Sequence, residues 1–151
     1  MPGPYQIKPI GLVHSRFNTR EEVINSRADN RVGEIEIFKE YKDGLSDLEG
    51  FSHIIVIFWM HKSSFRSLKV QPIYHPEKLR GVFATRHPDR PNPLGLTVVE
   101  LLEKRECILR VKGIDMLDGT PVIDIKPYTR GDQRKTTRFG WLTHGDNVNN
   151  R

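Results

Sequence analysis

HIIVIFWMH, residues His53 to His61, is the longest apolar run in the chain, and its reading decides the fold class. At seven uninterrupted apolar residues, Ile54 to Met60, it falls far short of the roughly 20 needed to cross a bilayer as a helix. Apolar side chains on both faces imply a central strand covered on both sides. Upstream, Glu34 to Phe38 (EIEIF) alternates strictly, placing Ile35 and Ile37 on one face and the glutamates on the other. Ile7 to His14 (IKPIGLVH) carries a proline near its start, which suits an edge or the beginning of a strand. Downstream, Gly81 to Thr85 (GVFAT), Gly95 to Leu102 (GLTVVELL), Cys107 to Lys112 (CILRVK) and Pro121 to Ile125 (PVIDI) complete a set of short strands. Cys107, Leu109 and Val111 share a face, so Cys107 reads as a core residue rather than a reactive thiol. Helical signal is confined to Lys39 to Leu48, which Asp43 and Gly44 interrupt, and to a stretch near Glu21. Many short strands punctuated by glycine and proline predict a mostly β, single-domain β-barrel over residues 1–151. A closed sheet also leaves no exposed edge.

A chain of 151 residues is one domain's worth, long enough to bury a core. With 36% hydrophobic and 28% charged residues it belongs with globular rather than disordered chains. The N-terminal MPGPYQIKP lacks the charged start, apolar stretch and cleavage site of a secretory signal. A lone cysteine cannot build an intrachain disulfide framework. Together these features lead us to expect a cytoplasmic location and no membrane association. Lysine and arginine number 24 against 19 acidic residues, a net charge of +5 that favours a nucleic-acid partner, because phosphate contacts release counterions.

Two segments hold the chemistry. In Gly81 to Thr97 (GVFATRHPDRPNPLGLT), Pro88, Pro91 and Pro93 stiffen a loop that carries Arg86, Arg90 and Asn92. A stiff loop with these groups has the character of a preorganised site; the alternative is a rigid barrel corner with solvated arginines. In Gly113 to Tyr128 (GIDMLDGTPVIDIKPY), Asp118-Gly119 followed by Thr120-Pro121 predicts a tight turn with Gly119 available for positive φ. Asp115 and Asp124 flank that turn. Asp124, Lys126 and Tyr128 alternate onto one face opposite Ile123 and Ile125, either as a binding surface or as a solvated wall. The six histidines, His14, His53, His61, His75, His87 and His144, include no i, i+4 helical pair, and one cysteine cannot complete a structural zinc site, so no metal is expected. No P-loop, GxSxG elbow or GxGxxG fingerprint occurs, so a nucleotide-like ligand is not held in the Rossmann manner.

GVFATRHPDRPNPLGLTVVEL, followed about twenty residues later by DMLDGTPVIDIKPY, resembles the signature pair of the TsaA-like (TrmO) family. IKPIGLVHS near the start and LEGFSHIIVIFWMH in the middle extend the resemblance over residues 7–128, in the family's order. The resemblance implies a β-barrel methyltransferase that uses S-adenosyl-L-methionine to methylate N6 of N6-threonylcarbamoyladenosine in tRNA. It also implies a homodimer with the cofactor near the subunit contact. By motif, the cofactor site falls to His61, Lys62, Arg86, Leu96, Lys112, Gly113, Ile114 and Asp115, with Arg27, Ala28 and Asp29 from the loop after the first strand. Asp118, Asp124 and Tyr128 are the expected catalytic residues, with His61 a further base candidate. Arg90, Asn92 and Lys126 are assigned to the RNA substrate. His87 stands where many relatives carry serine or threonine. Only 23 residues follow Tyr128, a short basic tail (129–151) in which Arg130, Arg134, Lys135 and Arg138 can meet phosphate. Two other function classes remain open: a non-catalytic S-adenosyl-L-methionine sensor and a plain RNA-binding barrel. The latter calls for exposed, interleaved aromatics, whereas Phe58 and Trp59 lie in the apolar strand.

Overall fold

Ile54, Val56 and Phe58, the inward residues of the long apolar run, are at most 3% exposed and form the middle of the core. Their strand, β3 (His53–Trp59), is one of six in a closed antiparallel barrel. The computed structural model describes residues 1–142. In chain order the elements are β1 (Gly11–His14), α1 (Arg20–Asn25), β2 (Val32–Ile37), β3, β4 (Lys69–Val70), β5 (Arg80–Gly81), β6 (Leu94–Arg105), β7 (Ile108–Lys112) and β8 (Pro121–Pro127). Around the barrel the order is β1-β2-β7-β6-β3-β8, and β1 pairs with β8 to close it. The strictly alternating segment places Ile35 and Ile37 inward at 0% and 2% exposure, beside Leu109 and Val111 of β7. Among the described residues no helix is long and apolar enough to cross a membrane.

The two ends of the barrel differ. At the lower end, β6 turns into β7 through Glu106 and Cys107, with Glu106 at a positive φ of 54°, and residues 38–52 connect β2 to β3 through two 3-10 turns. At the upper end three long connections emerge: residues 15–31 after β1, 60–93 after β3 and 113–120 after β7. The second is an excursion from the barrel, and β4 and β5 pair within it as a small hairpin.

Three expectations need correction. GVFAT does not form a barrel strand. β3 and β6 pair directly with each other, leaving no vacancy between them, and of the segment only Val82 and Thr85 find buried positions. The chain coils into a 3-10 turn at Val82–Ala84, leaving Phe83 76% exposed. β3 is also not covered on both sides: Ile55, Ile57 and Trp59 stand half-buried on the outer face, opposite Val98, Leu96 and Leu94. Cys107 is half-buried at the lower turn rather than in the core.

Phe58 and Gly95 are direct cross-strand partners, and the phenyl ring lies over the bare Cα. A Cβ at position 95 would meet the ring at 2.3 Å, so the ring or the strand pair would have to shift. Gly95→Ala should therefore cost about 1–3 kcal/mol through overpacking. That outweighs the ~0.4–1 kcal/mol returned by the less flexible unfolded chain. Urea unfolding should show a lower midpoint at unchanged slope. Parent-like stability would show that the ring does not depend on the glycine.

Candidate functional site

The upper connections are bound to one another by specific polar contacts. TREE at residues 19–22 forms a capping box: Thr19 Oγ1 accepts the Glu22 N–H at 3.3 Å, and the Glu22 carboxylate accepts the Thr19 N–H at 3.2 Å. The same carboxylate takes the Asn18 N–H at 2.6 Å, and these backbone donors hold Glu22 below its ordinary carboxylate value. The far end of α1 is held by Arg31, whose buried guanidinium donates to Val23 O at 2.9 Å and Ser26 Oγ at 2.8 Å. A cation at a helix C-terminus is well placed both for its orphan carbonyls and for its dipole. Arg31's own carbonyl accepts the N–H groups of Gly113 (2.9 Å) and Ile114 (3.0 Å), which ties the first connection to the third. Lys62 Nζ donates to Asn18 O at 2.9 Å and ties the first to the second.

Between these connections lies a cavity of about 380 Å³ at the barrel mouth. That size falls within the range of small-molecule sites, about 300–1,000 Å³. Val23, Phe58, Met60, Met116 and Leu117 form its apolar wall. Asn18, Thr19, Arg20, His61, Lys62 and Asp115 provide its polar groups. Asp115 is 7% exposed and accepts the Thr97 hydroxyl at 2.8 Å, so a barrel strand fixes the acid from below. Desolvation and the neighbouring Lys62 push the His61 imidazole below its ordinary value of 6.5. His87 is lowered as well, by desolvation first and then by the Arg20 and Arg90 charges, against the opposing pull of Asp89.

Of the residues assigned to the cofactor from the motifs, His61, Lys62 and Asp115 line this cavity. Ile114 is fully buried next to Asp115, and Gly113 takes the positive φ of 93° that turns the chain into the mouth. Lys112 ends β7 just before that turn, half-buried. Arg86 is exposed on the excursion, and Leu96 stands 43% exposed on the outer face of β6. Arg27, Ala28 and Asp29 are exposed in a 3-10 turn of the first connection, where Arg27 and Asp29 approach within 3.9 Å.

The three expected catalytic residues are not brought together. Asp118 sits at the rim, its carboxylate accepting the Ser15 N–H at 3.0 Å, while Gly119 takes the turn conformation at φ 77°. Asp124 pairs with Lys126 at 2.8 Å and lines a separate cleft with Tyr41 and Phe51. Tyr128 follows β8 at the lower end, edge-on to His53 at 6.3 Å. Among the expected substrate residues, Arg90 folds back onto the carbonyls of Thr85 (2.9 Å) and His87 (3.3 Å), bracing its own loop, and Asn92 is exposed. Lys126 faces its ion-pair partner. His144 and the rest of the tail beyond Leu142 lie outside the described residues. Among the described residues no group of three or more His, Cys, Asp or Glu side chains is arranged to hold a metal ion.

Several wall residues have no counterpart in the motif assignment: Asn18, Thr19, Arg20, Met60, Met116 and Leu117. The T-x-x-E capping box was a visible signal for the first three, since it starts the helix that forms this wall. The others carry no signal of their own, because apolar residues beside a strand end read equally as core.

A closed antiparallel barrel with a small-molecule cavity at one mouth, framed by a stiff proline-rich loop, defines a class of binding domain distinct from the Rossmann type. The chain belongs to the tRNA-methyltransferase O N-terminal domain family, whose model matches residues 12–132, and this confirms the TsaA-like resemblance. A Pyrococcus abyssi protein named "Probable S-adenosyl-L-methionine-binding protein" is 49% identical over 138 residues, covering 89% of this chain and 74% of its own length. The human tRNA (adenine(37)-N6)-methyltransferase is 38% identical over 130 residues, covering 80% of this chain and 29% of its own. The crystal structure of TrmO from Pseudomonas aeruginosa superposes with a TM-score of 0.77 at 32% identity, over 93% of this chain. The present chain spans 64% of that TrmO chain.

The contact between Thr97 and Asp115 offers a direct check of the site's foundation. Thr97→Val removes the hydroxyl donor while preserving shape, and it should destabilise the fold by about 1–3 kcal/mol, the usual cost of stripping a donor from a buried acceptor. Thr97→Ser should recover most of the loss in urea unfolding. Equal stability of the valine variant would mean that Asp115 does not need this donor.

Proposed function

We propose that this protein is a cytoplasmic, homodimeric methyltransferase that uses S-adenosyl-L-methionine to methylate N6 of N6-threonylcarbamoyladenosine in tRNA. The observation that carries the proposal is the meeting of His61, Lys62 and Asp115 in the mouth cavity of a barrel of this family. The names of the P. abyssi and human relatives supply the cofactor and the reaction class.

The cavity suits such a cofactor. Its apolar wall of Phe58, Met60, Met116 and Leu117 can take an adenine and a thioether-like chain. The buried Asp115 can accept from a ribose hydroxyl or an ammonium group, and Lys62 can meet a carboxylate. Arg86, Leu96, Lys112, Gly113 and Ile114 extend the assigned site toward the outer face, with Arg27 to Asp29 above. That face supports the homodimer: Ile55, Ile57, Trp59, Leu94, Leu96 and Val98 make a continuous apolar surface across β3 and β6. Packing a second copy there would bring another surface against Leu96, beside the mouth.

S-adenosyl-L-methionine supplies an electrophilic methyl group on a sulfonium. The task of the chain's residues is to align the nucleophile and remove its proton. The N6 nitrogen of a urea-like group is weakly nucleophilic until deprotonated. Of the four base candidates, Asp118, Asp124, Tyr128 and His61, only His61 lines the cavity. Its lowered pKa keeps it neutral, and so able to accept a proton, at pH 7. Arg86, on the stiff loop, can hold the threonyl carboxylate or a phosphate in bidentate fashion.

The lack of convergence among Asp118, Asp124 and Tyr128 favours one alternative, a non-catalytic S-adenosyl-L-methionine sensor. Incubation with methyl-labelled cofactor and total tRNA separates the two readings: label in RNA supports the enzyme, and binding without transfer supports the sensor. Arg86→Ala should reduce transfer at least about tenfold, in line with loss of a charge-assisted contact. Full activity in this variant would remove Arg86 from the site. His61→Gln should lower kcat by about 10²–10⁴-fold, the usual contribution of general base catalysis. In the parent, kcat/KM should be level near pH 7 and fall on an acid limb below pH 6.5 as the imidazole gains its proton. A limb unchanged in His61→Gln would exclude His61 as the base.

A further inference from the structure

The net positive charge is unevenly distributed. Residues 61–93 carry seven Lys and Arg against only Glu77 and Asp89, and residues 129–142 carry four against only Asp132. In the remainder of the chain, carboxylates outnumber cations. The two basic segments are also physically joined. β8 delivers the chain to the lower end of the barrel, yet Trp141 is docked on the excursion that leaves the upper end. Its indole N–H donates to Ala84 O at 2.9 Å, two residues before Arg86. The Arg80 guanidinium lies 4.8 Å over its ring, and His75 meets the ring edge-on at 5.8 Å. The family model ends at residue 132, so Trp141 and the strap that carries it, residues 133–142, lie beyond that match.

The same two segments expose aromatic rings. Phe65 (72%), Tyr74 (41%), Phe83 (76%) and Phe139 (65%) all project from the excursion or the strap. The sequence showed Phe58 and Trp59 in the apolar strand and suggested no interleaved exposed aromatics, but these four supply that pattern. Exposed rings among a local excess of lysines and arginines match unpaired nucleotides: the rings stack on bases, and the cations follow the phosphates. A duplex hides its bases and would leave the rings unused.

From this juxtaposition we infer that the excursion and the Trp141-anchored strap together form the face on which this protein docks a single-stranded RNA loop. The inference deepens the tRNA reading and rests on it for the kind of RNA. The face belongs to the excursion that contributes His61 and Lys62 to the mouth, so a loop held there lies next to the cavity.

The test measures the affinity of fluorescein-labelled anticodon stem-loop RNA across a salt series, with a fully paired duplex RNA as comparison. Arg66→Glu/Lys69→Glu/Lys78→Glu should weaken stem-loop binding at least tenfold and flatten the salt dependence, because each lost phosphate contact removes about 0.7–0.9 from the slope of log K against log salt. Phe65→Ala/Phe83→Ala/Phe139→Ala should weaken it about tenfold or more with the slope unchanged, as expected for lost stacking. Trp141→Ala should show both effects in part, and Trp141→Phe less. Lys8→Glu/Lys39→Glu/Arg105→Glu, with the same charge change elsewhere, should retain binding within about threefold. The inference is overturned if this control loses as much as the first variant, if the aromatic variant binds like the parent, or if duplex binds as well as stem-loop. The urea-unfolding midpoint of every variant should match the parent, which certifies folding, and cofactor affinity, measured by calorimetry, should stay at the parent value. A parent that binds stem-loop in this pattern but no cofactor would defeat the methyltransferase proposal and leave the RNA face standing.

Discussion

Closure of a six-stranded sheet is the constraint from which the rest of the structure follows. The pairing of β1 with β8 completes the ring, and side chains such as Ile35, Ile54, Val56, Val99, Leu109 and Val111 fill it. Barrel diameter grows with strand number, and about eight strands are needed before an interior can hold even one small ligand; six strands filled by these side chains leave no room for a nucleoside. A ligand must bind where the strands end. At the lower end β6 and β7 meet in a tight turn and one connection, residues 38–52, frames a cleft, whereas the upper end releases three connections that are bound to one another and wall the cavity holding His61, Lys62 and Asp115.

Loops that frame a site must be held as firmly as the barrel beneath them if the site is to be preorganised. Arg31 does this for the first and third connections, using its side chain to cap α1 and its carbonyl to hold Gly113 and Ile114. Lys62 and Ser63 do it for the second: Lys62 bonds Asn18 O, and the Ser63 hydroxyl bonds the Asp89 carboxylate at 2.8 Å. Thr97 carries the support into the barrel wall by fixing Asp115. The same polar groups that satisfy buried backbone therefore also set the shape of the mouth.

Periodicity made the barrel legible because strand alternation is a local property. EIEIF and CILRVK each show their inward faces in the residues themselves. GVFAT looked like a strand for the same local reason, and only the direct pairing of β3 with β6 shows that no position was available for it. The site was legible where motif and topology coincide, at His61, Lys62 and Asp115. Asp118, Asp124 and Tyr128 shared a segment and were read as a set, but Asp118 lies in the upper turn before β8 and Tyr128 follows its lower end, so the strand carries them apart. The Trp141 strap could not be read at all, because the Ala84 carbonyl it bonds belongs to a loop whose position depends on the whole fold.

The charge distribution completes the picture. The excursion that also walls the cavity, with the Trp141 strap docked on it, carries the local excess of cations and four exposed rings, while carboxylates outnumber cations in the rest of the chain. Long-range attraction of a polyanion would then act toward the mouth rather than over the whole surface.

A cocrystal structure with S-adenosyl-L-methionine tests the central claim most directly. The account predicts ligand density in the upper mouth, in contact with His61, Lys62 and Asp115 and bounded by Met60 and Met116. Density in the lower cleft beside Asp124 and Tyr41, or none in crystals grown with saturating ligand, would contradict it.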